Sequence, residues 1–347
     1  MHHRCFPGTG WVWACASEGR PEGVASKQSA EPLARVDLSQ SRLALLFNPG
    51  SGKKDARDRV DEIRARLEGI AREFALYPVT DGSQIAASAR RAVAEGADIV
   101  AVFGGDGTQN AVAGALRGTD AVMAVLPGGT FNYFARELGV GQGIDAAIDA
   151  ILAGHVARRN LGELNGRVFL NNASLGVYPQ ILETRESIYR RWGRSRLAAY
   201  WSVIVALNDL RAPMHLHVNT ADGTRDYVTP LVFVAHSAYQ LESLGLEGAE
   251  MIEQGHFAVF VLRHLKRRDL MLAALRLAMG RASHGDDFDL LVTDELTIEA
   301  GRKSRLVALD GEKTRMNAPF ELKVLHDALR VIVAPDLDRP DRGQPAR

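Results

Sequence analysis

The sequence has few cysteines and no excess of charge of either sign. Its only two cysteines, Cys5 and Cys15, lie in the first fifteen residues. The rest of the chain therefore has no thiol for disulfide or cysteine–metal chemistry, which is typical of a reducing compartment. The 42 lysines and arginines balance 42 aspartates and glutamates, so the formal net charge is zero. Because no overall field attracts a polyanion, we expect no nucleic-acid partner.

Long hydrophobic runs and internal repeats are also missing. No apolar stretch approaches the length of a membrane span, and Gly10–Ala16 is too short and too broken for a signal-peptide core. A hydrophobic content of 46% over 347 residues is that of a globular protein large enough for two domains. Residues 1–41 and 336–347 lack regular periodicity, and we interpret them as a disordered extension and a disordered tail.

Short apolar runs alternate with helical periodicity from residue 42 to residue 155. The predicted strands are Leu43–Phe47, Phe74–Val79, Ile99–Phe103 and Val122–Leu126. Amphipathic helices are predicted between them. This alternation predicts a Rossmann-like, three-layer α/β domain whose parallel sheet has helices on both faces. Ligands bind to such sheets at the loops that follow the carboxyl ends of the strands.

The pattern changes from residue 156 to residue 335, where strands follow one another through tight turns. The predicted strands are Val156–Leu164, Arg167–Ser174, His215–Asn219, Tyr227–Ala235, Phe257–Leu262, Leu290–Thr293 and Leu296–Glu299. Two helical runs interrupt them, at 194–210 and 268–279. This part therefore predicts a mostly antiparallel β-sandwich domain.

The most informative motif is Gly-Gly-Asp-Gly-Thr at residues 104–108, directly after an apolar strand. Glycines in a strand-to-helix turn let a large anion approach the backbone, and the N–H groups of the helix end point at that anion. A carboxylate at Asp106 would repel bare phosphate. The motif therefore favours a divalent metal between Asp106 and a nucleotide.

A second strand-to-helix turn carries Pro-Gly-Gly-Thr-Phe-Asn at residues 127–132. Thr130 and Asn132 have side chains that hydrogen-bond phosphate, ribose or metal-bound water. The alternative interpretation is a plain turn in which Thr130 caps the following helix.

Three motifs in this order resemble the diacylglycerol kinase catalytic-domain family, which includes bacterial lipid kinases and sphingosine kinases. They are Asn-Pro-Gly-Ser-Gly at 48–52 and the two turns at 104–108 and 127–132. The likeness extends through 171–176 and Asp310-Gly311-Glu312, and covers roughly residues 43–335. Gly-Gly-Asp-Gly-Thr is shared with NAD kinases, whereas the third motif separates the two families.

The resemblance implies ATP-dependent phosphorylation of a lipid hydroxyl, with Mg²⁺ and with the nucleotide in the cleft between the two domains. It assigns catalytic roles to Asp106 and Glu312 and makes Asp106 a metal ligand. The last segment of the chain is expected to return to the first domain. The implied nucleotide contacts are Asn48, Ser51, Gly52, Gly104, Gly105, Gly107, Thr108, Pro127, Gly129, Thr130, Asn132, Asp310 and Gly311. Taken without the family, Asp310-Gly311-Glu312 is equally typical of an exposed hairpin turn.

Two positions depart from the family pattern. Tyr133 stands where many members have a carboxylate. Gln254 stands where many members have the aspartate that is their proposed base, and glutamine cannot accept a proton. Phosphoryl transfer depends mostly on positioning and charge stabilisation, so this loss puts the rate in doubt rather than the activity.

Basic residues cluster at two places. Arg190, Arg191, Trp192 and Arg194 combine positive charge with an aromatic ring, as at a membrane interface, although a charged first turn of a core helix is the simpler interpretation. A second cluster at 263–268 contains Arg263, His264, Lys266, Arg267 and Arg268 and is interpreted as a solvated face.

The leading hypothesis is a cytoplasmic lipid kinase, acting on a diacylglycerol-like or sphingoid-like substrate and associated peripherally with the inner face of the membrane. One alternative is a kinase of a soluble acceptor similar to NAD kinase. The other is a catalytically weak nucleotide- or lipid-binding homologue, which Gln254 favours.

Overall fold

The computed structural model describes residues 34–48, 55–141, 143–176, 213–278, 285–301 and 303–335. The predicted extension up to residue 33, the tail from residue 336 and the predicted helix at 194–210 lie outside these residues. In the described part, two β-sheets and eight α-helices account for most of the chain.

The first sheet has eleven strands. They are β1 (Ala34–Arg35), β2 (Arg42–Phe47), β3 (Glu73–Pro78), β4 (Ile99–Gly104), β5 (Val122–Pro127), β6 (His155–Leu164), β7 (Arg167–Phe169), β9 (Met214–Thr220), β10 (Gly223–Thr229), β14 (Glu295–Ala300) and β17 (Phe320–Ile332). The second sheet has six strands: β8 (Asn172–Gly176), β11 (Leu231–Ala235), β12 (Phe257–Leu262), β13 (Phe288–Thr293), β15 (Ser304–Leu309) and β16 (Glu312–Asn317). The helices are α1 (Asp55–Leu67), α2 (Ile85–Ala94), α3 (Asp106–Leu116), α4 (Tyr133–Glu137), α5 (Ile144–Ala153), α6 (Ala238–Leu244), α7 (Ala249–Glu253) and α8 (Arg267–Ala278).

The amino-terminal half of the first sheet is parallel, in the order β3-β2-β4-β5. Strands β2, β4 and β5 are almost continuously apolar and buried, as expected for strands covered on both faces, whereas the edge strand β3 fully buries only Tyr77. Helix α1 packs with α5, and α2 packs with α3. The strand order reverses direction between β2 and β4. Ligands bind in open α/β sheets at such a switch point.

Strand β17 joins this parallel half to an antiparallel half. Its last residues pair in parallel with β5, through Arg330 and Val331, while Leu322–Ile332 pair antiparallel with β6. The sheet continues through β14, β9 and β10. Strand β6 begins at His155, so the predicted domain boundary at 155/156 falls at the start of one strand of a continuous sheet. The boundary itself stays a prediction.

The second sheet is entirely antiparallel and packs face to face on the antiparallel half of the first. One buried cluster contains Leu175, Val234 and Val259 from the second sheet together with Leu216 and Phe320 from the first. The predicted fold class, an α/β unit followed by a mostly antiparallel β-sandwich, is confirmed.

Three local predictions need correction. Residues 34–41, placed in the disordered extension, instead form β1 and a short 3₁₀ turn, because Leu38 is buried in the first core and Ala34 pairs with Val156. The predicted strand Tyr227–Ala235 is two strands, since Pro230 has no N–H to donate to a ladder. The predicted strand Arg167–Ser174 is also two strands, because the N–H groups of Leu170 and Asn171 donate hydrogen bonds to the Asp310 carboxylate instead of to a neighbouring strand.

Candidate active site

The carboxyl ends of the central parallel strands bring the predicted loops to one edge of the sheet. In register, Phe47 of β2 lies beside Phe103 of β4, and Phe103 lies beside Leu126 of β5. The chain then leaves through Asn48, through the turn at 104–108 and through the loop at 127–132. Asn48 is thus placed at the switch point, whereas Ser51 and Gly52 lie outside the described residues.

The turn at 104–108 and the loop at 127–132 pack backbone against backbone. The N–H of Gly128 donates to the carbonyl of Gly104 at 3.0 Å. A Cβ at Gly129 would lie 2.6 Å from the Cα of Gly105, and one at Gly105 would lie 3.2 Å from the Cα of Gly129. Sequence reasoning missed this role of Gly105 and Gly129: the absence of a Cβ lets the two loops pack directly against each other.

Asp106 begins α3, and its carboxylate faces the second loop. Its Oδ2 accepts a hydrogen bond from the N–H of Asn132 at 3.0 Å. Burial raises the pKa of Asp106, while the N–H groups of Asn132, Tyr133 and Phe134 act in the opposite direction. Asp106 therefore holds the loop at 127–132 in place.

The side chain of Asn132 is used within its own loop. Its Oδ1 accepts from the N–H of Gly129 and its Nδ2 donates to the carbonyl of Gly129, both at 2.9 Å. Asn132 adopts φ +50° at the N-cap position of α4, so Thr130 is not the cap of that helix. Thr130 is exposed at the tip of the loop, and Asn132 is 8% exposed. Thr130 is thus the more accessible of the two predicted contacts.

Asp310 and Gly311 form the two-residue turn of the β15–β16 hairpin. Both have positive φ, +47° and +84°, which is the geometry of the tight hairpin turn that Asp-Gly favours. The Asp310 carboxylate accepts backbone N–H groups from Leu170 at 2.7 Å, Asn171 at 2.7 Å and Asn172 at 3.0 Å. Residues 310–312 can therefore be both a hairpin turn and part of the predicted site, since the Asp310 carboxylate holds this hairpin against residues 170–172.

The β15–β16 hairpin lies against the turn at 104–108. Burial raises the pKa of Asp310 to about 6, the three N–H groups oppose that rise, and the nearby charge of Asp106 adds to it. A Cβ on Gly107 would lie 2.6 Å from Oε1 of Glu312. Asp106 thus lies near Asp310 and Glu312, although these two predicted residues follow it in the chain by 204 and 206 positions. Glu312 is the exposed member of the three.

Helix α3 begins without a side-chain cap. This eleven-residue helix has Gly105 at its N-cap, and Gly105 has no side chain to accept from the first turn. Helix N-termini of this kind can bind an anion. Within the described residues, no group of three or more acidic, histidine or cysteine side chains is arranged to hold a metal ion. One or two carboxylates are enough to hold Mg²⁺ when the phosphates of a nucleotide supply further oxygen ligands.

Sequence reasoning included residues 171–176 in the family likeness but gave no role to the buried polar residues at this end of the second sheet. Asn171 and Asn172 are 2% and 4% exposed, and Nδ2 of Asn172 donates to Oε1 of Gln240 at 3.0 Å. Ser237, which caps α6, donates to Glu137 of α4. Two adjacent asparagines opening an apolar strand were the available signal.

Other predicted features lie elsewhere. Gln254 is exposed at the C-terminal end of α7, and the next residue, Gly255, approaches His326 and Asn160. Arg190, Arg191, Trp192 and Arg194 lie outside the described residues. No helix in the described part of the chain is both long and apolar enough to cross a bilayer.

Solved structures of proteins named as diacylglycerol kinases have the same fold. A crystal structure of a diacylglycerol kinase from Bacillus anthracis strain Sterne superposes with a TM-score of 0.66 at 20% identity, over 86% of this chain and 98% of that chain. A second crystal structure from the same organism gives a TM-score of 0.68 over the same shares. At this identity, the likeness establishes the fold.

The sequence comparisons show a likeness to one family over the first part of the chain. Residues 42–164 match the model of the diacylglycerol kinase catalytic domain, which confirms the resemblance that the motifs indicated. Over 144 residues, or 41% of this chain, the sequence is 31% identical to a diacylglycerol kinase of Staphylococcus aureus strain bovine RF122 and 30% identical to one of Staphylococcus saprophyticus. The matched region spans about half the length of these curated relatives, 46% and 47%.

Proposed function

We propose that this chain is an ATP-dependent lipid kinase that phosphorylates a hydroxyl of a diacylglycerol-like or sphingoid-like lipid. One observation carries the proposal: the carboxylate of Glu312 lies against Gly107, beside Asp106 and the N-terminus of α3. A helix end that can bind phosphate and an exposed carboxylate that can accept a proton both serve phosphoryl transfer to a hydroxyl. The match of residues 42–164 to the diacylglycerol kinase catalytic domain supports it.

In this proposal, the protein holds the triphosphate with backbone groups. The first N–H groups of α3 bind phosphate oxygens, and the exposed hydroxyl of Thr130 donates to them. Asp106 and Asp310 keep the two loops and the hairpin in place through their bonds to backbone N–H groups. Bound Mg²⁺ would be held by Asp106 together with phosphate oxygens, and would neutralise phosphate charge.

The proposed transfer needs one proton acceptor. The lipid hydroxyl oxygen forms a bond to the γ-phosphorus while the bond from that phosphorus to the bridging oxygen of ADP breaks. The hydroxyl proton passes to the carboxylate of Glu312, because Gln254 cannot accept it. Nucleotide contacts at Asn48 and at the glycines of both loops belong to the same proposal.

Association with the inner face of the membrane is part of this proposal, because the acceptor is a lipid. So are the division into domains at residues 42–155 and 156–335 and a nucleotide cleft between them. The exposed position of Gln254 favours a second candidate function, a weakly active homologue that binds nucleotide. That candidate predicts binding of Mg-ATP by calorimetry without turnover.

The test is transfer of label from [γ-³²P]ATP to mixed lipid extracts. We expect labelled lipid with the wild type, strongly reduced label with Asp106→Ala, and wild-type label with the matched change Asp222→Ala in the exposed turn between β9 and β10. Absence of labelled lipid with the wild type, or equal labelling with Asp106→Ala, would contradict the proposal.

A further inference from the structure

We propose that α8 and the residues just before it dock the protein on an anionic lipid bilayer. This surface, called the α8 surface here, consists of Leu265, Lys266, Arg268, Met271 and Leu272. The inference deepens the proposed function and rests on it for the identity of the substrate, because a diacylglycerol-like acceptor resides in a membrane. The docking itself is argued from exposure and charge.

The α8 surface exposes large apolar side chains close together. Leu265 and Met271 are each 46% exposed and Leu272 is 47% exposed. Single exposed apolar residues are common on globular proteins, whereas three within eight residues form a patch. On the opposite side of the same helix, Leu270 and Ala273 are only 2% and 6% exposed. The helix therefore has apolar residues on the face that packs inward and also on the face that meets solvent.

Basic residues stand among these apolar side chains. Residues 263–278 contain five lysines and arginines against one acid, Asp269. Arg276 and Arg263 pair with Asp287 and Asp289. Lys266 is exposed, and the side chain of Arg268 is 79% exposed although it also contacts Asp269. The interpretation of 263–268 as a merely solvated face overlooked the apolar residues beside this charge.

A buried carboxylate fixes α8 at both ends. The side chain of Asp287 is 2% exposed and accepts hydrogen bonds from Nε2 of His264, before the helix, at 3.1 Å, and from Nη1 of Arg276, in its last turn, at 2.9 Å. The outward position of Met271 and Leu272 is therefore set by the fold, and the surface is ordered before it meets a partner.

The combination fits an anionic bilayer. Helices that lie in the membrane interface bury an apolar face at the level of the lipid headgroups while lysines and arginines reach anionic phosphates. Leu265, Met271 and Leu272 supply the apolar contact, and Lys266 and Arg268 supply the complementary charge. A second copy of this chain would present the same positive charge and would repel the α8 surface.

The experiment is co-sedimentation of the full chain, without nucleotide, with vesicles of phosphatidylcholine containing 30% phosphatidylglycerol or with vesicles of phosphatidylcholine alone. The test variant is Met271→Ser with Leu272→Ser, and the charge variant is Lys266→Glu with Arg268→Glu. The matched control is Ile70→Ser with Leu152→Ser, which removes two apolar side chains that are 45% and 41% exposed elsewhere on the molecule. Circular dichroism and gel filtration check that each variant is folded and has the wild-type oligomeric state.

We expect the wild type and the control to bind the anionic vesicles at least tenfold more tightly than the neutral ones. We expect both α8 variants to lose at least tenfold in affinity for the anionic vesicles. Wild-type protein that stays in solution with anionic vesicles, or α8 variants that bind as the wild type does, would overturn the proposal. So would a change in oligomeric state, instead of vesicle binding, in the α8 variants.

The same variants separate docking from kinase activity. With a short-chain diacylglycerol that is monomeric in water, we expect the α8 variants to keep wild-type turnover. Loss of vesicle binding in a protein that never phosphorylates lipid would support docking while contradicting the proposed function. Turnover by a wild-type protein that does not bind vesicles would support the proposed function while contradicting docking.

Discussion

The two turns that form the candidate site are built in opposite ways. The turn at 104–108 joins a parallel strand to a helix, and its neighbour in space, the loop at 127–132, follows the adjacent strand. The turn at 310–312 closes an antiparallel hairpin of the other sheet, 200 residues later. Each nevertheless has an aspartate whose carboxylate accepts backbone N–H groups of a second segment: Asp106 from Asn132, and Asp310 from residues 170–172.

The two aspartates and Glu312 differ in what their carboxylates contact. In both turns the aspartate is used to fix a loop, and burial raises its pKa. Glu312 differs, because it is exposed and lies over Gly107 at the junction of the two turns. In the proposed function, both aspartates therefore position loops, Asp106 also contacts the metal, and the hydroxyl proton passes to Glu312.

The largest effect is expected from Glu312→Gln. This change keeps the shape of the side chain but removes the proton acceptor, so kcat should fall by about 10²–10⁴-fold. Since Glu312 is exposed, the free energy of unfolding should change by no more than about 0.5 kcal/mol. Steady-state kinetics and urea unfolding measure both quantities.

The matched control is Glu299→Gln, an exposed glutamate on β14. An unchanged kcat in Glu312→Gln would remove the distinction between the glutamate and the two aspartates.

The next effect is expected from Gly129→Ala, which tests the packing between the two loops. The added Cβ would lie 2.6 Å from the Cα of Gly105 and 2.9 Å from Oδ1 of Asn132, so the loops must separate. We expect a loss of about 1–3 kcal/mol in the free energy of unfolding, together with weaker nucleotide binding. Chemical denaturation and calorimetry with Mg-ATP check this.

Gly82→Ala is the control, since a Cβ at Gly82 meets no atom within 4 Å. Equal stability of the two alanine variants would show that close approach of the loops is not what requires glycine at position 129.

A third prediction concerns the pH dependence of the hairpin. The pKa of Asp310 is raised to about 6 in the folded protein, above its ordinary value of 3.8. The folded state thus binds this proton more tightly than the unfolded state does. The resulting contribution to stability is complete below about pH 4 and is lost as the pH rises through about 6.

Titration of the Asp310 carboxyl carbon by ¹³C NMR measures the shift directly. The same carbon in urea-unfolded protein is the reference. A midpoint below 4 in the folded protein would mean that the three N–H groups outweigh burial.

The smallest effect is expected where the two halves of the first sheet meet. Glu163 of β6 is 7% exposed and pairs with Arg117, at the end of α3, and with Lys323 of β17 at 3.1 Å. Burial opposes ionisation, but the hydrogen bonds and charges of Lys323 and Arg117 lower the pKa of Glu163 below its ordinary 4.5. Its contribution to stability is therefore present above about pH 4.5 and is lost as the pH falls through the lower value.

Glu163→Gln should cost about 1 kcal/mol of unfolding free energy at neutral pH, because both cationic partners remain largely hydrated. Glu68→Gln is the control, since Glu68 pairs with Arg64 on the exposed surface of one helix. Urea unfolding at pH 7 should show a smaller loss for that control, and an equal loss in both variants would contradict a role for Glu163 at the junction.

The parallel half of the molecule was predictable from local sequence. Apolar strands such as Ile99–Phe103 and the glycine turns after them are short-range signals, and their ends meet because parallel strands align. The contact between Glu312 and Gly107 was not predictable from local pattern, because it depends on pairing across the whole chain. Only the resemblance to a family pointed to it. The role of the glycines in loop packing, and the bonds that Asp106 and Asp310 make, depend on atomic distances that no spacing of residues encodes.

The most direct test of the central claim, that both turns form one nucleotide site, is a titration of the isotope-labelled protein with Mg-ATP followed by backbone amide chemical shifts. The account predicts that Gly107, Thr108 and Thr130 shift together with Gly311 and Glu312, with one dissociation constant, while Gly223 at the start of β10 stays unchanged. Shifts confined to the residues at 104–130, with Gly311 and Glu312 unmoved at saturation, would contradict it.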